Sequence, residues 1–177
     1  MEITIVYIIS QILTLILYGF LGISYLQKNR NKVLIFNIIV DVLHIIAMCL
    51  LKGYSGAAMG LVSLYRDIFL LIYARKKNSK NIDIFILITS IVLIITLSLI
   101  TYDGIFSMLS IIATLITTFA IWQKNVKYYK LLGIISSLLW MLYNVFIFSV
   151  VGIILESIVF IFSTIGYIKE IKTTKKN

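Results

Sequence analysis

Proline is missing from this chain of 177 residues, cysteine and histidine occur once each, and charged side chains make up only 13%. Without proline, no helix carries a proline kink. A single cysteine, Cys49, cannot close an internal disulfide, and with one histidine, His44, it offers no ligand set for a structural metal, so no cofactor is expected. The shortage of charge is matched by an excess of oil. Hydrophobic residues reach 61% and mean hydropathy +1.07, whereas a soluble domain is about a quarter charged and about half apolar. A water-soluble fold of this length could not hide so much apolar surface, and the expected solvent is the lipid bilayer.

The few charges are placed in a pattern. Apolar runs can be marked at 3–26, 33–51, 54–74, 82–101, 104–122, 129–148 and 150–168, seven in all. Lys28, Arg30 and Lys32 follow the first; Arg75, Lys76, Lys77 and Lys80 follow the third; Lys124, Lys127 and Lys130 surround the turn between the fifth and sixth; Lys169, Lys172, Lys175 and Lys176 fill the tail. Fourteen of the sixteen basic residues therefore fall on one side of a seven-span chain. By the positive-inside bias that side is cytoplasmic, with the N-terminus outside and the C-terminus inside. The net charge of +9 is thus explained without nucleic acid. The first span starts MEIT, with no basic leader, and is too long for a cleaved signal, so it is expected to stay.

The expected fold is an all-α membrane domain over 1–177 with an internal repeat. QKN occurs at 27–29 and 123–125, and a shift of 96 positions, which superimposes the two, also sets Leu43 on Leu139, His44 on Trp140 and Gly56 on Gly152. Asn37, Asp41, His44 and Met48 recur at helical spacing on one face of the second span; their counterparts are Gly133, Ser137, Trp140 and Asn144. Gln11, Thr14 and Tyr18 likewise correspond to Ser107, Ser110 and Thr114. Two three-helix units of equal orientation, 1–77 and 104–170, need an odd number of crossings between them, and the span 82–101 supplies one. The count closes as 3+1+3.

The stretch WMLYNVFIFSVVGIILES, with Trp140, Asn144, Gly152 and Glu156, together with KGYSGAAMGLVSLYRD, with Gly56 and Arg66, resembles the YgjV family of bacterial inner-membrane proteins. That family is similar in turn to the PQ-loop and SWEET-type transporters. The resemblance implies two triple-helix units joined by a linker helix, the bacterial cytoplasmic membrane as location, and passage of a small polar solute by alternating access. The chain departs from the wider pattern in lacking the Pro-Gln dipeptide and hinge prolines, and Met48 stands where the resemblance leads one to expect a histidine.

Ionisable groups in mid-span cost about 2.5–3.5 kcal/mol on insertion scales, so they face a partner, a bundle interior or a wet space. Asp41 and Arg66 lie at a common depth, about 12–13 Å from the cytoplasmic ends of their spans. They are expected to pair, with Asp67 as a competing partner and His44 near enough to donate to Asp41. Glu156 has no basic residue at its depth other than His44. The candidate solute-binding residues are Asn37, Asp41, His44, Ser63, Arg66, Trp140, Asn144 and Glu156. Each also has a structural reading: Asn37 as interhelical glue, Asp41 and Arg66 as a buried pair, His44 as an interior polar residue, Glu156 as a buried neutral acid. A hydrolytic set of His44, Asp41 and Ser63 lacks an oxyanion hole and a nucleophile turn, so no enzyme is expected. A non-transporting membrane partner, with polar stripes that only hold helices together, is the competing functional class. Oligomeric state is left open.

Overall fold

The computed structural model describes residues 4–26, 30–73, 80–122 and 126–174. Both QKN tripeptides, Lys28, Arg75, Lys76, Lys77, Lys124, Lys175 and Lys176 lie outside them. Among the described residues there are seven α-helices and no strand: α1 Ile5–Leu26, α2 Arg30–Leu50, α3 Tyr54–Tyr73, α4 Lys80–Ile100, α5 Ser107–Trp122, α6 Val126–Phe146 and α7 Val150–Thr174. The expected run from 104 starts later, because Gly104 takes φ +85° and forms a turn that accepts the Ser107 N–H. Ser107 Oγ caps this turn by accepting the Asp103 N–H at 3.0 Å.

Three segments are long and apolar enough to cross a membrane by themselves: Ile5–Ser24, Tyr54–Tyr73 and Asn81–Ile100. Leu34–Leu50, Ser107–Trp122, Leu131–Phe146 and Val150–Ile165 are shorter apolar helices. Ile8, Ile12, Leu15 and Ile16 of α1, and Phe85, Ile88, Val92, Ile95 and Leu99 of α4, are exposed. Such stripes are costly in water and free of cost against acyl chains, so they mark the lipid-facing sides.

Contacts between helices close a ring: α1 packs on α2, α2 on α3, α3 on α5, α5 on α6, α6 on α7, and α7 back on α1. The fourth helix stands outside this ring, against α3 and α5. In lipid the association of such helices rests on close packing rather than on hydrophobic burial. The third helix supplies it: Gly56, Ala57, Ala58 and Gly60 are all buried, and Ala58, Met59 and Val62 form a core with Ile94 of α4 and Ile111 of α5. The many hydroxyls inside the bundle are mostly satisfied along their own helix. Thr14 Oγ1 donates to Ser10 O, and Thr114 Oγ1 to Ser110 O, both at 2.8 Å.

The turns from α2 to α3 and from α6 to α7 have the same geometry. Lys52 and Phe148 both sit in the left-handed region, at φ 59° and 56°. Gly53 N donates to Met48 O and Ser149 N to Asn144 O, each at 2.9 Å, closing the same helix-ending motif twice. Glycine usually fills the position that Lys52 and Phe148 occupy, because a Cβ there costs about 1–2 kcal/mol. Set against the extra freedom glycine has in the unfolded chain, Lys52→Gly and Phe148→Gly should each stabilise by about 0.5–1 kcal/mol. Thermal unfolding in detergent should show both midpoints rising; a fall in either would mean its side chain makes a contact worth more than the strain.

Candidate functional site

His44 and Trp140 lie equally far from the ends of α2 and α6 at Leu50 and Phe146; Gly60 and Glu156 lie equally far from the starts of α3 and α7 at Tyr54 and Val150. At a rise of about 1.5 Å per residue the distance is about 9 Å in all four. The four residues therefore share one layer of the ring. The His44 and Trp140 rings meet across it edge to face, with centroids 5.1 Å apart and planes at 87°. Gly60 makes room for this contact: a Cβ there would fall 3.1 Å from His44 Cδ2 and 2.9 Å from Ile45 Cγ1. From α1, Tyr18 joins the layer by donating its hydroxyl to Glu156 Oε1 at 2.5 Å. On α5, Thr114 is buried one turn further along than Ser110, whose hydroxyl reaches Ser55 Oγ at 3.4 Å. Five of the six ring helices, α1, α2, α3, α6 and α7, thus contribute.

On the side of the two turns, the layer is closed. Tyr143 accepts the Gly56 N–H at 3.0 Å through its hydroxyl, which also shares a hydrogen bond with Ser55 Oγ at 2.9 Å. Val151 N donates to Gln11 Oε1 at 2.9 Å. Asn144, one helical turn from Trp140 and on the same face, is only 2% exposed, and its Oδ1 finds no hydrogen-bond partner. His44 Nε2 and Ser149 Oγ are in the same condition.

On the other side lies Asp41, one turn from His44. Its Oδ2 is buried without a hydrogen bond, and it feels the charges of Asp67 and Arg66, which oppose one another. The expected Asp41–Arg66 ion pair is not the one formed. Arg66 Nε instead holds Asp67 Oδ1 at 2.8 Å, with both side chains buried, and Nη1 reaches Thr118 Oγ1 of α5 at 3.3 Å. The neighbouring carboxylate on the same helix needs no second helix brought into register, which favours it over Asp41. His44 makes no hydrogen bond to Asp41 either; its hydrogen-bond partner is the Gly56 backbone, and its ring stands edge-on to Trp140. Asn37 accepts from Ser24 Oγ at 2.7 Å and so ties α1 to α2, as glue would. Ser63 is half-buried on α3.

A cavity reaches Arg66, but from outside the ring. Between α3, α4 and α5 it is lined by Arg66, Asp83, Ser90, Thr118 and Trp122 with an apolar wall, and it measures about 20 Å³. That holds about one water, a natural partner for Ser90 Oγ, which is fully buried and otherwise unsatisfied. Trp140 is not among its walls.

The structure thus brings His44, Trp140 and Glu156 into one layer, with Asn144 and Asp41 a turn to either side, and leaves Asn37 and Arg66 outside it. Tyr18, Tyr143, Ser90 and Thr118 were not foreseen as partners. Tyr18 and Thr118 do stand on helical faces with other hydroxyls, which is the one signal the sequence holds for them. A family model of bacterial inner membrane proteins, Imp-YgjV, matches residues 8–174. The chain belongs to the YgjV family. No curated protein and no solved structure matches it. The YgjV match runs from within α1 to the last residue of α7 and takes in every residue of the layer.

Proposed function

We propose that this YgjV protein is a small-solute carrier of the bacterial inner membrane, built as two three-helix units, α1–α3 and α5–α7, related by an approximate two-fold axis and linked by α4. Its fold is then of the PQ-loop and SWEET type. The layer carries this reading. Under the 96-residue shift its members pair off as Tyr18 with Thr114, His44 with Trp140 and Gly60 with Glu156, and His44 touches its own counterpart, as residues beside a two-fold axis do. Exchange of the two units also turns the α3–α5 contact into the α7–α1 contact. The left-handed positions Lys52 and Phe148, and the hydrogen bonds around them, obey the same shift. A ring of six helices with unsatisfied polar atoms about its axis is where rocking units would hold a solute.

Counterflow of a labelled panel of small polar solutes in liposomes tests the proposal. At least one solute should exchange, and Trp140→Ala should abolish its exchange. A panel that never exchanges would favour the second reading, a membrane partner with no cargo. That reading draws on the internal pairing of Arg66 with Asp67 and of Tyr18 with Glu156, and on a cavity fit for one water.

The orientation proposed is N-terminus outside and C-terminus cytoplasmic. Cys49 is exposed near the end of α2, which this orientation places at the outer face. A membrane-impermeant maleimide should therefore label intact, outer-membrane-permeabilised cells to the same extent as lysed ones. Labelling only after lysis would invert the topology.

A further inference from the structure

We infer that the solute held in the layer is a small organic cation, a protonated amine rather than an anion or a sugar. The inference rests on the carrier reading above and names the chemical class of its cargo.

Deep inside the helices stand three carboxyls, Asp41, Asp67 and Glu156, against one guanidinium, Arg66. The guanidinium is spent on Asp67 and reaches away to Thr118 and the cavity under α4. No other lysine or arginine occurs within residues 36–50, 107–122, 131–146 or 150–168, nor anywhere in α1. The interior around Trp140 thus holds carboxyl and carbonyl acceptors and no lysine or arginine. Asp41 Oδ2 and Asn144 Oδ1 are acceptors without a hydrogen, and Asn144 is almost wholly buried. Glu156 receives its hydrogen bond from Tyr18 on Oε1.

An anion placed beside Trp140 would meet Glu156 and the Asn144 carbonyl oxygen, while Arg66 stands about 9 Å further along the bundle and already holds Asp67. A neutral polyol could satisfy the acceptors but would leave the excess acidity as it was. An alkylammonium group does both: its N–H bonds go to Asn144 Oδ1 and a carboxylate, its charge offsets Glu156 or Asp41, and its positive end suits the face of the Trp140 indole. Trp140 now turns its ring to His44, so the cation would take the place of the imidazole as the two units part.

The test uses Trp140 as its own reporter. Trp122 is the second of the two tryptophans, and Trp122→Phe leaves Trp140 alone to emit. The purified full chain in lipid nanodiscs is titrated with ethylammonium chloride, sodium propionate and 1-propanol, three small probes with short alkyl tails that differ in charge. Ethylammonium should change the emission saturably, and Glu156→Gln or Asp41→Asn should weaken it about tenfold or more, the loss expected when a charged hydrogen bond is removed. Unchanged thermal midpoints in these near-isosteric variants would show that folding is intact. Should a variant unfold instead, competition between the three probes on the Trp122→Phe protein decides alone. Propionate or propanol binding as well as ethylammonium would overturn the inference while the carrier reading stands. If acrylamide quenches Trp140 but no ethylammonium binds, the cation assignment fails by itself. If acrylamide cannot reach Trp140 either, the layer is sealed and both fail.

Discussion

Arg66→Leu is expected to cost about 3–5 kcal/mol of stability, the range seen when one member of a buried ion pair is removed. The reason lies in what would be left behind. Asp67 is 1% exposed, its Oδ1 depends on Arg66 Nε at 2.8 Å, and its Oδ2 has no hydrogen bond to fall back on. Thr118 Oγ1 would lose its donor as well. The double variant Arg66→Leu/Asp67→Leu removes both charges together and should recover to within about 1 kcal/mol of the parent, because paired burial of charge offsets little more than its own desolvation. Unfolding of the four members of this cycle in mixed detergent measures the coupling. A double variant as unstable as Arg66→Leu would mean that the guanidinium serves the fold through Thr118 or the α4 cavity rather than through Asp67.

This pair also shows where sequence reasoning runs out. Depth along a helix is legible only as well as the span boundaries are: the marked runs set Asp41 and Arg66 at one level, whereas, counted from the turn at Leu50 and Tyr54, Arg66 lies about 4.5 Å deeper than Asp41. Azimuth is not legible to the same degree. Adjacent residues on a helix point about 100° apart, so Arg66 and Asp67 look like rivals for different faces until the long guanidinium folds back onto its neighbour. The seven helices were readable because apolar runs and basic clusters agree on where they lie; α2 and α6 start three residues before the marked runs, and α5 three residues after, at a glycine turn that hydropathy cannot register. The opposition of His44 and Trp140 was half readable: the shift that makes them counterparts is in the sequence, but their contact depends on where the axis passes. Tyr18 and Glu156 stand 138 positions apart, and nothing local to either residue announces the other.

The contact that closes the layer should be the other strong determinant of stability. Gly56→Ala would place a Cβ 2.7 Å from Tyr143 Cε1, 3.1 Å from its hydroxyl and 3.2 Å from Met48 Sδ. Tyr143 has little room to yield, since its hydroxyl is held by Ser55 and Gly56 and its ring stands edge-on to Trp140 with centroids 5.7 Å apart. Overpacking of about 1–3 kcal/mol is joined by the loss of one or both hydrogen bonds, about 1 kcal/mol each, so a total near 3 kcal/mol is expected. Tyr143→Phe alone should cost about 1–2 kcal/mol, and Gly56→Ala added to Tyr143→Leu well under its cost in the parent, because the atom it strikes is gone. Gly22→Ala and Gly133→Ala serve as controls: nothing lies within 4 Å of either Cβ, so each should be neutral or stabilise by up to about 1 kcal/mol from helix propensity. A Gly56→Ala protein no less stable than these controls would show that α3 and α6 are free to part at this level. In the carrier reading the same substitution acts on function, since Gly56 and Tyr143 belong to different units: wedging them apart favours the arrangement in which Trp140 is reached from the turn side. Acrylamide quenching of Trp140 in the Trp122→Phe background should then rise with Gly56→Ala and stay at the parent value with Gly133→Ala, a difference that loss of stability without opening of the ring would not produce.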